Sequence, residues 1–165
     1  MKLHARVITV SDRAAAGEYE DRSGPEAATR LAEHGIAVDR IDVVADGIES
    51  VRAAVSAAAD AGVALVFTAG GTGVSPRDLT PEATAPLLDV RLDGVAEAMR
   101  ARGAVAVPSA VLSRGLVGLT GRGPGAVLIV NAPGSTGGVR DAVAVVGPLV
   151  AHIVGQARGD ARAAH

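Results

Sequence analysis

The sequence predicts an α/β fold in which a mostly parallel sheet is covered by helices on both faces. Short, branched, uncharged runs, of which Val63-Ala64-Leu65-Val66-Phe67 is the clearest, read as strands buried on both sides, because a strand with one wet face alternates with polar residues. Such runs alternate with helical patterns along the chain, and that alternation joins parallel strands through crossover helices. The core must also be built from small residues. Apolar side chains make up 48 % of the chain, yet it holds one Phe, one Tyr and no Trp. Val, Ala, Leu and Ile then carry the packing and favour close approach of helix to sheet.

Taken in order, residues 3–11 read as the first strand. Ser23-Gly24-Pro25-Glu26 has the form of a capping box, opening a helix from Pro25 to His34 that stops at Gly35. Residues 36–45 alternate apolar with charged side chains and read as a second strand. Asp46-Gly47-Ile48-Glu49 again resembles a capping box, for a helix to about residue 61 that Gly62 ends. Residues 63–68 form the third strand. Thr80 is placed to cap, and Pro81 to open, a helical pattern over about 81–88, and another covers about 93–102. Residues 111–120 and 126–131 read as two more strands around a turn at Gly121–Gly125. The last helix covers about 136–156, with a bend or break at Gly147-Pro148. Residues 1–158 are expected to form one domain and 159–165 a frayed tail.

Composition excludes several functions. With a net charge of −2 and no basic run, the chain is not expected to bind duplex nucleic acid, and it lacks aromatic platforms for single strands. The absence of cysteine removes disulfides, thiolate metal sites and cysteine nucleophiles. Lys2 is the one lysine among 16 basic residues, so neither a Walker A loop nor a Schiff-base lysine is available. His4, His34, His152 and His165 lack ligand spacing. There is no Gly-x-Ser-x-Gly elbow, and Pro76 stands where a dinucleotide fingerprint needs its third glycine. No uncharged apolar stretch reaches the ~18 residues of a membrane span, and the first apolar run, which carries His4 and Arg6, does not read as a signal peptide. The expected compartment is the cytoplasm, with no membrane partner.

The polar constellations converge on one edge. Ligands of open α/β sheets bind beyond the carboxyl ends of the strands. Ser11-Asp12 follows the first strand, Asp46 the second, and Gly70 to Asp78 the third. Pro133-Gly134-Ser135 follows the last strand and leads into a helix amino terminus. Gly70, Gly71 and Gly73 leave backbone amides bare for an anion, and Asp78 follows at once. A phosphate cradle beside a carboxylate points to a nucleotide handled with a divalent metal. Asp46 and Asp78 are the candidate ligands, and each has a competing reading as a helix cap or turn residue.

These residues resemble a known family. Val10-Ser11-Asp12-Arg13-Ala14, Asp21, Gly24-Pro25, Thr68 to Thr84, Leu112-Ser113-Arg114-Gly115 and Asn131-Ala132-Pro133-Gly134-Ser135 stand in the order of Mog/MoaB-type molybdopterin adenylyltransferases. The resemblance covers residues 4–156. It implies a three-layer α/β/α sandwich, a homotrimer, and transfer of AMP from Mg-ATP to molybdopterin with release of pyrophosphate, ahead of handover to a molybdenum insertase. It implies Mg²⁺ on Asp46 and Asp78. It implies substrate contacts at Ser11, Asp12, Gly70, Gly71, Thr72, Gly73, Ser75, Ser113, Pro133, Gly134 and Ser135, with Glu97 near the ligand pocket; Thr68 is taken as a further contact at the strand end, and Arg114, from the residues themselves, is a candidate phosphate clamp. Ala69, Ala132 and the glycine-rich 121–125 turn depart from the family pattern without removing a carboxylate. Two alternatives stay open at this point: a CinA-like enzyme acting on a nucleotide derivative, and a MoaB-type protein that binds molybdopterin without catalysis.

Overall fold

The computed structural model describes residues 3–160. The carboxyl-terminal part of the expected tail, 161–165, lies outside the described residues. Six strands form one sheet: β1 (Leu3–Val10), β2 (Ile36–Val44), β3 (Leu65–Ala69), β4 (Val90–Arg91), β5 (Val117–Leu119) and β6 (Leu128–Ala132). Their order is β2-β1-β3-β6-β5-β4. β1 pairs in parallel with β2 and β3, and β3 with β6, while β5 and β4 add as antiparallel strands. The helices are α1 (Asp12–Ala15), α2 (Ser23–Ala32), α3 (Ile48–Asp60), α4 (Thr80–Thr84), α5 (Asp93–Ala106), α6 (Thr136–Val146) and α7 (Val150–Arg158).

Both faces of the sheet are covered, as the unbroken apolar runs require. Every residue of β3 and β6 is buried. On one face Ala5, Val7, Leu65, Phe67 and Val130 pack against Leu31 of α2 and Val139, Val143 and Val146 of α6. On the other, Ile8, Val66 and Ile129 pack against Val51 and Val55 of α3. β2 is an edge strand, and its charged Asp39 and Arg40 are exposed, with Asp42 half-buried. The last helix breaks at a 3-10 turn over Gly147–Leu149, as Gly147-Pro148 predicted. Thr136–Arg158 is by length and composition apolar enough to cross a bilayer, but Val139, Val143, Val146, Val150 and Val154 spend that apolar side on the sheet.

The structure corrects four local expectations. The strand expected over 111–120 is confined to Val117–Leu119, because Pro108 opens a 3-10 turn that runs to Leu112. The two-residue strand β4 was too short to leave a periodic signal. Neither capping box forms: Arg22 stands at the N-cap of α2 with Ser23 already helical, and Gly47, at φ 130°, is the N-cap of α3 without a side-chain bond from Asp46. Thr80 likewise lies inside α4, whose N-cap is Leu79. Ser135 does cap α6, accepting from Gly138 N at 3.0 Å.

Candidate functional site

A cavity of about 720 Å³ opens at the carboxyl edge of the parallel strands, within the size range of small-molecule sites. It lies where the chain order reverses. From β1 the chain passes to β2 on one side, then crosses to β3 on the other. The loops leaving β1 and β3 diverge there and leave a crevice above the strand ends. Ser11, Asp46, the Gly70–Gly73 loop, Asp78, Ser113 and Pro133–Ser135 all line this one cavity, so most of the positions picked from sequence converge.

The glycine loop leaving β3 needs its glycines for two different reasons. Gly70 and Gly71 have φ of 118° and 65°, conformations that strain any residue with a Cβ. A methyl on Gly70 would also strike the Val10 carbonyl. Gly73 needs room instead, since a Cβ there would lie 2.8 Å from Asp78 Oδ2. The loop is held from three sides. Gly70 N donates to Ala132 O at 3.0 Å, Thr80 N to Gly71 O at 3.0 Å, and Arg114 N to Thr72 O at 2.8 Å. The buried Thr80 hydroxyl adds a bond to Gly70 O at 2.9 Å. This explains why Thr80 does not cap α4: its oxygen faces the loop.

Two carboxylates flank the loop. Asp78 Oδ2 accepts from Ser75 N at 2.9 Å, which closes the tight turn after Gly73. Asp46 Oδ2 accepts from Asp12 N at 2.9 Å, while Asp46 Oδ1 faces the loop, 3.2 Å from where a Cβ on Gly71 would lie. Burial raises the Asp46 pKa, and the negative charges of Asp12 and Asp78 push the same way, against the Asp12 N–H bond and Arg77. A partly desolvated carboxylate pressed by two like charges is a site that gains from a cation. The donors are all oxygen, which suits a hard divalent ion such as Mg²⁺. Among the described residues no cluster of three or more His, Cys, Asp or Glu forms a complete cage, so such an ion would be completed by phosphate oxygens and water.

Five expected contacts have other tasks. The Asp12 carboxylate is held below the usual range by its bonds to Arg77 Nε and Nη2, at 3.0 and 2.8 Å. Thr68 is fully buried and accepts from Asn131 Nδ2 at 3.0 Å, tying β3 to β6 beneath the cavity. Ser75 contributes its N–H to Asp78 rather than a wall of the cavity. Glu97 is on the exposed side of α5, away from the cavity lining. Arg114 is no free clamp. Its guanidinium donates to Gly73 O at 2.8 Å, to Asp78 O at 2.6 Å and to the Glu82 carboxylate, bracing the loop from behind.

The cavity also recruits residues that were not among the expected contacts. One turn beyond Glu97, Arg100 is the one basic side chain among the described residues that lines the cavity, anchored by Nη1 to the Ser113 and Gly115 carbonyls at 3.4 and 3.3 Å. A count of faces on α5 would have separated the two, because Ala96, Met99 and Gly103 mark the buried side that Arg100 adjoins. Tyr19 stands at the rim, its hydroxyl 2.8 Å from Ser11 Oγ. Asp21 lines the wall, where Thr9 Oγ1 and Gly24 N donate to it at 2.9 and 3.0 Å. Ser23, read as a cap, donates its hydroxyl to Gly134 O and joins α2 to the loop after β6.

Comparison with known proteins agrees with this geometry. Residues 6–152 match the family described as "Probable molybdopterin binding domain". The molybdopterin adenylyltransferase of Pyrococcus furiosus is 36 % identical over 160 residues, covering 92 % of this chain and 89 % of that protein. A molybdenum cofactor biosynthesis bifunctional protein of Synechococcus elongatus is 38 % identical over 158 residues, which is 95 % of this chain and 48 % of that protein. The chain thus spans about half the length of the bifunctional relatives it matches. Among solved structures, a molybdopterin biosynthesis protein from Mycobacterium abscessus superposes with a TM-score of 0.87 at 44 % identity, over 94 % of this chain and 96 % of that one. With its six-stranded α/β sheet and the glycine loop and paired aspartates at the sheet's crevice, the chain belongs to the molybdopterin-binding domain family of molybdenum cofactor biosynthesis.

Proposed function

We propose that this chain is a molybdopterin adenylyltransferase, transferring AMP from Mg-ATP to the phosphate of molybdopterin and releasing pyrophosphate. The observation that carries this reading is the placement of Asp46 and Asp78 on either side of a positive-φ glycine loop within one cavity. Relatives of similar length named for this activity support it.

The chemistry sets a clear demand. Attack by one phosphate on another brings two anions together, and at about 4 Å two unit charges repel by roughly 4 kcal/mol at an effective dielectric of about 20. A magnesium ion held by Asp46 and Asp78 would neutralise phosphate charge and stabilise the leaving pyrophosphate. The amides of the Gly70–Gly73 loop and the capped amino terminus of α6 at Ser135 offer hydrogen-bond donors to phosphate oxygens. Arg100 supplies a positive charge to the lining. Met99, Gly103, Ala106 and Leu112 give the cavity an apolar flank for a flat ring system. No residue has to act as a general base, because the attacking phosphate is already ionised near neutral pH.

The same reading includes a homotrimer in the cytoplasm and handover of adenylylated molybdopterin to a molybdenum insertase. In the last helical stretch Val143, Val146, Val150 and Val154 are packed into the chain's own core. A run of exposed apolar side chains lies elsewhere, at Val105, at 89 % exposure, with Val107, Val111 and Leu112 close to it in sequence. The deciding experiment incubates the chain with molybdopterin, ATP and Mg²⁺ and looks for adenylylated product and pyrophosphate. Tight molybdopterin binding without product would replace the enzyme by a binding protein.

A further inference from the structure

From the contacts around Asp46 we infer that Arg77 and Asp12 form a clamp whose task is to fix Asp46 relative to Asp78, making Arg77 a positioning residue for the cation site. The inference rests on the proposed metal role of the two carboxylates. Those carboxylates come from loops more than thirty residues apart in sequence, one after β2 and one after β3. Two ligands of one ion must keep their separation, so something has to tie the loops together.

The ties converge on Asp46. Its N–H donates to Asp12 Oδ1 at 3.1 Å, its carboxylate accepts from Asp12 N at 2.9 Å, and its carbonyl accepts from Arg77 Nη2 at 2.7 Å. Arg77 also grips the Asp12 carboxylate with Nε and Nη2, at 3.0 and 2.8 Å. The residue is therefore held at its amide, its carbonyl and its side chain. Gly47 follows at φ 130° without a side-chain cap on α3; Ser50 of α3 holds the Ala45 and Gly47 carbonyls at 2.8 and 3.2 Å, which leaves Asp46 itself to the Asp12 and Arg77 contacts. Arg77 directly precedes Asp78. The loop that carries one carboxylate thus reaches across to set the other, and the planar fork of a guanidinium matches two carboxylate oxygens while a further N–H reaches the carbonyl.

Partners that orient metal ligands cost about 10–100-fold in metal affinity or activity when removed. An exposed ion pair contributes little to folding stability. The two roles therefore separate. The test measures Mn²⁺ binding by electron paramagnetic resonance, together with thermal melting, for the wild type, Arg77→Gln, Arg77→Lys and Asp12→Asn. The expected result is a melting temperature within a few degrees of wild type and Mn²⁺ binding weakened about tenfold in Arg77→Gln and Asp12→Asn. Arg77→Lys should fall between, since an ammonium keeps the charge without the fork. Unchanged Mn²⁺ affinity in Arg77→Gln and Asp12→Asn overturns the clamp and leaves the proposed function standing. Wild-type protein that binds no Mn²⁺ overturns the metal reading and the clamp with it. Loss of folding in both variants also overturns the inference, because the pair would then be a brace of the fold.

Discussion

A single methyl group added at Gly71 should unfasten the site. Gly71 has φ 65°, and forcing an L-residue into that region costs about 1–2 kcal/mol. The new Cβ would also meet Thr80 Oγ1 and lie 3.2 Å from Asp46 Oδ1. Thr80 is fully buried. Pushing it away breaks its hydroxyl bond to Gly70 O at 2.9 Å and disturbs the bond from its N–H to Gly71 O at 3.0 Å. A buried hydroxyl left without a partner costs about 1–3 kcal/mol. Gly71→Ala should then lose about 3 kcal/mol, and a chain of this size loses roughly 2–4 °C per kcal/mol, so melting should fall by roughly 6–12 °C.

The functional loss should exceed the stability loss, because the methyl enters the space between the loop and Asp46 where a phosphate would lie. Calorimetric titration with Mg-ATP well below the melting temperature separates the two effects. Gly121→Ala is the control: nothing lies within 4 Å of its Cβ and its φ is ordinary. If Gly71→Ala melts within about 2 °C of the wild type and binds Mg-ATP unchanged, the loop is only a turn and the cradle does not exist.

Asp78→Asn should keep the fold while abolishing adenylyl transfer, since the amide oxygen can still accept from Ser75 N but carries no charge for a cation; a stability loss with retained specific activity would refute the assignment. The Asp46 pKa is raised above its ordinary 3.8, first by burial, so the ionised group costs stability above its native pKa, and that cost is absent below the ordinary value. Asp46→Asn should therefore melt no lower than the wild type at neutral pH while losing Mn²⁺ binding, and wild-type transfer should fail on acidification at a higher pH than an ordinary aspartate would dictate. Arg100→Gln should weaken Mg-ATP or molybdopterin binding about tenfold with little change in melting, as expected for one charge-assisted hydrogen bond; equal affinities for both ligands would remove Arg100 from the site. Val105→Asp with Val111→Asp should lower the mass seen by light scattering if these side chains cover a subunit contact, and an unchanged trimer mass would move that contact elsewhere.

The buried strands of a mostly parallel sheet and the cavity's edge were legible because they rest on patterns that survive burial. Runs such as Val63 to Phe67 cannot be anything but interior, and turn chemistry placed the glycines at the strand ends. Three helix starts were misread for one shared reason. Ser23, Asp46 and Thr80 are residue types that cap helices, but here their side chains reach the loops of the cavity instead, to Gly134 O, Asp12 N and Gly70 O. Local capping rules compete with tertiary partners, and the partners win where loops must be held at a site. The same competition moved Asp12 and Arg114 from expected ligand contacts to braces. Arg100 was missed because nothing in the chain's linear order shows that the Ser113–Gly115 segment lies beside α5.

On the proposed function, the distribution of charge gives an arginine-rich chain a reason to hold its anion through a metal. The net charge of −2 suggests near-balance, but the balance is local and uneven. Arg77 is spent on Asp12, Arg102 on Asp141, Arg114 on Glu82 and Arg140 on Glu26. Each of these arginines braces an element instead of facing the cavity. Among the described residues, the lining holds Asp21, Asp46 and Asp78, and Asp141 paired with Arg102, against Arg100 as its basic side chain. Such a wall repels a free triphosphate, whose approach would add to the charge already pressing on Asp46. A divalent cation reverses that sign locally, so anion affinity and cation affinity must rise together. The coupling has a direct consequence: the nucleotide should bind far more weakly in chelator than in Mg²⁺, and Asp78→Asn should erase most of that difference. Equal nucleotide affinity with and without the cation would mean that backbone amides and Arg100 suffice, and the two carboxylates would need another explanation.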